Sequence, residues 1–390
     1  MLRVFSRPQM KIISLVSTTI GLRTLGLFMV LPVFSLYGEK FTGSYLLIGL
    51  ALGAYGITMA IFQTPLGILS DKYGRKLIIS LGIITFTIGN IICAFPVNIT
   101  GLIIGRLMEG AGAVSSTGIA LVHENIEPTK RNMADAIIGI SIGLSFMIGV
   151  IIGPLLAVFL SYSALFIIAS LFGIVSLVPV FMVKERKREL NFEAKSRIDI
   201  KIIMVSIISF FIYFYMIVFY FYLPFFSIRY VPVSGFYTFL IPAVIIAGAI
   251  GIAIARPADK NKTVLFSVIS LIILLISVPV YFLNVYIKDV YFFYLGVVVF
   301  YSGYIISETV FPTLITRVAS ENSYGGNLGF YTSMQHAGVF AGAVVAGFLL
   351  INIKNDTNIL IVMVSLFIIS IIILYMATKF REIYLKKNQT

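Results

Sequence analysis

Twelve apolar runs, each long enough to cross a hydrocarbon core of ~30 Å, organise this chain. They lie at 11–36, 46–69, 77–96, 100–122, 134–160 and 164–183, then at 201–226, 234–255, 263–286, 290–315, 328–351 and 358–378. The two sets of six are separated by the longest hydrophilic stretch, Lys184 to Lys201. Runs this long and continuous predict spanning helices, because the strands of a membrane barrel would read as alternating segments of ~10 residues. The expected fold is an all-α integral membrane protein with twelve transmembrane helices in two pseudo-symmetric six-helix bundles. The bundles are expected over 1–183 and 201–390, with a cytoplasmic linker at 184–200.

The polar links fix the orientation. With the N-terminus in the cytoplasm, the inside segments hold 23 of the 29 Lys and Arg residues. The outside segments hold only Lys40, Arg229, Lys288 and Lys354, and the other two, Arg23 and Arg106, lie within runs. Basic residues are retained on the cytoplasmic side, so both termini are placed there. The halves also echo one another: "SDKYGRK" follows run 2 and "RPADKNK" follows run 8, which aligns Asp71 with Asp259. Glycines recur four apart in run 5 (Gly139/Gly143, Gly149/Gly153) and in run 11 (Gly338/Gly342), a spacing that suits close helix approach. Pro154 follows in run 5, where neighbouring helices must satisfy the carbonyl it frees.

Composition agrees with this picture and narrows it. The chain is 59% hydrophobic and 12% charged, with mean hydropathy +1.04, far from the balance of a soluble domain. In a soluble protein the net charge of +13 would raise nucleic-acid binding; here it follows from topology, and no nucleic-acid partner is expected. Arg23 interrupts the first run and no small-x-small cleavage site follows, so the N-terminal segment reads as an uncleaved helix. Cys93 is the only cysteine, which excludes an internal disulfide and a cysteine-based metal site. No GxxxxGK[ST] loop occurs, so no such ATPase is built in. No nucleophile–base constellation suggests an enzyme.

Charges at bilayer depth cost ~2.5–3.5 kcal/mol each on insertion scales and usually face a cavity or a partner. Four stand out: Arg23, Arg106, Glu109 and Glu308. Arg106 and Glu109 are three apart and share a helix face. Arg106 and Glu109 can neutralise one another, or Arg23 and Glu109 can pair across helices, as structural glue. Alternatively one carboxylate, Glu109 first and Glu308 second, exchanges protons during turnover. Gln63, Asn90, Gln335 and His336 are the polar residues at depth, and His336 has the titration range for proton coupling. It equally suits a histidine hydrogen-bonded between helices. Neither it nor His123 has the spaced partners of a metal site. Run 7, "FFIYFYMIVFYFYLPFF", reads either as an aromatic cavity wall or as lipid-facing bulk and interface anchoring.

Several of these stretches form a family pattern. "GILSDKYGRK" resembles the run 2–3 signature of the major facilitator superfamily, met by Gly67, Leu69, Asp71, Lys72, Gly74, Arg75 and Lys76. "GRLMEGAGA" resembles the run 4 motif, with Glu109 where Gln is common, and "GVIIGP", with Gly149, Gly153 and Pro154, resembles the antiporter motif of run 5, although Ala157 and Val158 replace its closing Gly-Gly. "LRTLGLFMVLPVFSLYG", "SETVFPTLITR" and "GFYTSMQHAGVFAGA" are similar to YajR-like drug/proton antiporters, here without the C-terminal soluble domain, since the chain ends soon after run 12.

The resemblance implies an alternating-access carrier driven by the proton gradient, with no cofactor. It implies that Asp71 docks at the N-terminus of run 11, near Gly326, when the cytoplasmic side closes, and that Arg75 meets an acid at the end of run 4, for which Glu124 is the candidate. Gly74 suits a tight turn and Gly67 close contact with a neighbouring helix. The leading expectation is a monomeric, proton-coupled efflux antiporter of small amphipathic or hydrophobic compounds in a prokaryotic cell membrane. The alternative is a proton symporter or facilitator for a sugar or organic anion, which two buried arginines would suit.

Overall fold

The computed structural model describes residues 5–183, 199–227, 235–257, 262–287, 289–318, 324–350 and 356–387. The expected linker at 184–200 lies outside these but for its last two residues. Every regular element among the described residues is helical. The first run begins as α1 (Arg7–Val30), where the Ser6 side chain and Gln9 form a capping box. Pro32 then forces one 3-10 turn before α2 (Phe34–Gly38) completes the crossing. α3 (Tyr45–Tyr73) and α4 (Arg75–Ala94) follow, joined by Gly74 alone. Gly74 has φ 99°, a conformation only glycine adopts cheaply.

The fourth run departs from the continuous helix that its hydropathy predicts. It is α5 (Ile99–Ala111) and α6 (Ser115–Glu124), broken over Gly112–Val114. The break lies where Gly112 presses against Gly82 and Phe86 of α4, so packing overrides helical continuity there. The remaining runs are α7 (Arg131–Phe159), α8 (Tyr162–Met182), α9 (Ile200–Ser227), α10 (Phe236–Pro257), α11 (Thr263–Ile287), α12 (Val290–Val318), α13 (Tyr324–Leu350) and α14 (Asp356–Lys387). Nine spans among the described residues are long and apolar enough to cross a membrane, and 239–254 and 364–379 are shorter apolar helices. With the broken pair α5–α6 this accounts for twelve crossings.

The outward faces reveal the solvent. On α4, Ile79, Ile83, Phe86, Asn90 and Cys93 are buried at helical spacing. The opposite stripe, Leu77, Leu81, Ile84, Ile88 and Ile91, is exposed and equally apolar. A helix in water would carry polar residues there; lipid accommodates both faces. The chain is a multi-pass membrane protein.

Two compact units are resolved: Met1–Thr42 with Ala51–Lys195, and Gly43–Leu50 with Ser196–Thr390. In the first, α1 packs on α7 and α8, and α4 packs on α5 and α8. In the second, α9 packs on α13 and α14, and α11 packs on α12 and α14. Each pairing recurs six crossings later, so the repeat heard faintly in the links is explicit in the packing. The glycines repeat with it. A Cβ on Gly153 would overlap the Met29 carbonyl oxygen, and one on Gly149 would lie 3.0 Å from that of Leu25. Their counterparts Gly338 and Gly342 press in the same way on Phe210 and Phe214 of α9. Gly139 and Gly143 differ: among the described residues nothing stands within 4 Å of a Cβ built on either. Their spacing marks no close approach.

Candidate functional site

Three of the four charges at depth converge in the first unit. Glycines place them there. Gly110 of α5 presses on the Tyr55 backbone of α3, and Gly89 of α4 leaves a built Cβ only 2.6 Å from the Glu109 nitrogen. The stretch "GRLMEGAGA" therefore sinks α5 between its neighbours and carries Arg106 and Glu109 out of reach of solvent. Both side chains are 0% exposed, and Arg106 Nη1 donates to Glu109 Oε2 at 2.5 Å. Arg106 also lies 4.3 Å from the Tyr55 ring centroid and 5.2 Å from that of Phe34.

Arg23, 1% exposed, does not pair with the Glu109 carboxylate. Its Nη2 donates to the Glu109 main-chain oxygen at 3.4 Å, and the guanidinium lies 5.1 Å from the Phe86 ring centroid. The broken helix explains this. α5 ends at Ala111, so the Glu109 carbonyl lacks the amide that a continuous helix would supply. Arg23 places its positive charge at that carbonyl end, where the helix dipole favours it. Gln63 is buried on α3 two turns beyond Tyr55; its backbone oxygen accepts from Ser116 Oγ at 3.0 Å, and its side-chain oxygen has no partner among the described residues.

The fourth charge stands apart, in the second unit. Glu308 on α12 is partly exposed, and Tyr213 of α9 donates its hydroxyl to Glu308 Oε2 at 3.0 Å. No Lys or Arg pairs with Glu308 among the described residues. Rings surround the pair: Tyr304 lies 6.0 Å and His336 6.4 Å from Tyr213, centroid to centroid. His336 Nδ1 donates to the Thr332 carbonyl at 2.7 Å, since a carbonyl can only accept. Tyr213 was invisible to sequence reasoning, because nothing distinguishes it within a run where 11 of 17 residues are aromatic.

That run also differs from its lipid-facing reading. Every residue from Phe214 to Leu223 is buried. Phe219 stacks on Phe300 at 3.6 Å, and the hydroxyls find partners: Tyr215 with Ser277 at 2.7 Å, Tyr220 with Tyr301 at 3.0 Å, and Tyr222 with the Ala346 carbonyl at 3.0 Å. Buried tyrosines of this kind cement helices because each phenol tip is satisfied.

The signature at Gly67–Lys76 forms a third cluster, within the first unit. Arg75 is its hub. Nε donates to Glu124 Oε1 at 3.0 Å, Nη1 to the Gly67 carbonyl at 3.1 Å and to Ser70 Oγ, and Nη2 to Asp71 Oδ1. Gly67 makes no close helix contact: a Cβ there would meet only Ser116 Oγ, at 3.8 Å, among the described residues. What the cluster uses is its carbonyl. Lys76 donates to the Phe181 carbonyl at 2.9 Å, near the end of α8.

Apolar outward faces, duplicated packing and ionisable groups set at depth in both units are the features of a membrane carrier. The profile of the Major Facilitator Superfamily matches residues 16–343, and the chain belongs to that family. An uncharacterized transporter of Buchnera aphidicola subsp. Baizongia pistaciae is 31% identical over 349 residues, 84% of this chain and 87% of its own. The inner membrane transport protein YajR of Escherichia coli K12 is 43% identical over 150 residues, 38% of this chain and 33% of its own. A bacterial homologue of the human lysosomal transporter Spinster, solved inward-facing and occupied, has the same fold. It matches with TM-score 0.76 at 14% identity over 98% of this chain and 99% of that one.

Proposed function

We propose that this carrier is a proton-coupled efflux antiporter of small amphipathic compounds, acting as a monomer in a prokaryotic cell membrane without a cofactor. Glu308 is its proton-carrying carboxylate. The observation that carries this reading is the contrast between the two acids at depth. Glu109 is sealed against Arg106, and a locked ion pair exchanges protons poorly. Glu308 is partly exposed and held by a single phenol, so desolvation and solvation can compete for its charge. This reverses the order in which the sequence ranks the two acids. The same contrast disfavours an organic anion as cargo, because neither Arg23 nor Arg106 offers its charge to a ligand.

The Asp71–Arg75–Glu124 cluster fits a conformational role in this scheme, since one guanidinium ties the start of α4 to the ends of α3 and α6. The test uses purified protein in liposomes containing a pH-sensitive dye, with an imposed pH gradient and a panel of cationic, neutral and anionic amphiphiles. Proton movement opposite to the amphiphile is expected, and Glu308→Gln should abolish it. Co-directional movement refutes antiport. Full coupling in Glu308→Gln refutes the assignment of the proton.

A further inference from the structure

We infer that the cargo is a lipophilic organic cation and that Glu308, Tyr213, Tyr304 and His336 form its binding site. The inference rests on the carrier reading above and adds the charge of the substrate.

Of the four charged side chains at depth, three are closed off in the first unit, with exposures of 0–1%. The one that remains accessible is negative. Three helices bring its surroundings together: Tyr213 from α9, Tyr304 beside Glu308 on α12, and His336 from α13. Tyr213, Glu308 and His336 are each partly exposed, while Tyr304 backs them from a buried position. A carboxylate offers about four acceptor sites, and Tyr213 fills one.

The cluster thus has a negative charge, aromatic faces and no fixed positive group among the described residues. His336 commits its Nδ1 proton to the Thr332 carbonyl. An anion would meet the carboxylate unshielded, which is repulsive at low dielectric. A sugar would need several donors and acceptors, whereas Tyr213 spends its proton on Glu308 and His336 Nδ1 spends its own on a backbone oxygen. A cation with an apolar body suits what remains: its charge meets the carboxylate and its flanks meet the rings. Such a ligand would also supply the counter-charge that a desolvated carboxylate otherwise lacks.

The test is equilibrium binding of radiolabelled tetraphenylphosphonium to the purified full chain in nanodiscs. Tetraphenylborate, of similar size and opposite charge, is the comparison. Saturable binding of the phosphonium and at least tenfold weaker binding of the borate are expected. Glu308→Gln should weaken phosphonium binding at least tenfold, and Glu308→Asp by much less. Tyr213→Phe keeps the ring and loses the hydrogen bond, so it should change affinity less than Tyr213→Ala. A monodisperse gel-filtration profile and the parent's helical circular-dichroism spectrum check that each variant is folded. Equal binding of the two ions, or indifference of phosphonium binding to Glu308→Gln in folded protein, overturns the inference. The carrier reading fails separately. If neutral or anionic amphiphiles exchange against protons while the phosphonium neither binds nor moves, the cargo assignment falls and antiport stands. If the phosphonium binds through Glu308 but no panel member exchanges against protons, the site stands and antiport falls.

Discussion

Glu109→Gln removes the negative charge that Arg106 meets at 2.5 Å and leaves the side chain's shape. Neither partner has any exposure, so water cannot solvate the stranded guanidinium. Breaking a buried pair from one side costs ~3–5 kcal/mol. The lower end applies here, because the glutamine oxygen can still accept from Nη1 and the Tyr55 ring remains 4.3 Å away. For a unit of this size each kcal/mol moves Tm by ~2–4 °C, which gives a fall of ~6–12 °C. Arg106→Met combined with Glu109→Gln removes both charges and the desolvation cost they share, so its stability should return to within ~1 kcal/mol of the parent. Cys93 provides the assay. It is the chain's only cysteine, is buried, and its sulfur would lie 2.5 Å from a Cβ built on Gly105 of α5. A thiol-reactive dye therefore reports the opening of the α4–α5 interface on heating. A Glu109→Gln midpoint within 2 °C of the parent, or a double variant less stable than the single one, would refute the pair as a stabilising contact.

Three further outcomes follow from the geometry. Gly153→Ala should destabilise by more than ~1–3 kcal/mol, since its Cβ must displace backbone, whereas Gly139→Ala should be neutral or stabilise by up to ~1 kcal/mol; the same thermal assay compares them. Arg75→Lys should lose as much transport rate as Arg75→Ala, because one ammonium cannot reach Glu124, Gly67, Ser70 and Asp71 together. Asp71→Asn should slow pH-driven exchange in liposomes while phosphonium binding in nanodiscs remains within about twofold, because Asp71 belongs to the Arg75 cluster and not to the Glu308 one.

Hydropathy made the crossings legible because it measures the quantity the bilayer selects. Residue spacing made Arg106 and Glu109 legible as neighbours, since three residues along one helix fix their relation before any tertiary contact forms. Gly74 was legible for a similar reason: a single residue joins two helices, and few backbones allow that. What stayed hidden depends on where helices stop and what faces them. Arg23 answers a carbonyl freed by a break that no apolar pattern announces. Gly139 and Gly153 carry the same spacing motif, yet only the second meets another helix. The aromatic run of α9 read equally as a cavity wall or as lipid-facing bulk, because composition cannot count the helices packed around it.

The break in the fourth crossing has a consequence for biosynthesis. α5 has 13 residues, a length of ~20 Å, short of a ~30 Å core, and it carries two opposite charges and a carbonyl end with no helical successor. Alone in lipid, such a segment is a poor insertion unit, because each unmet backbone group costs several kcal/mol there. The cation that meets its Glu109 carbonyl comes from α1, 86 residues earlier, and has left the ribosome before α5 is made. The order of synthesis thus delivers the cap before the helix that requires it, and a chain translated without its first crossing should leave the fourth stranded at the translocon.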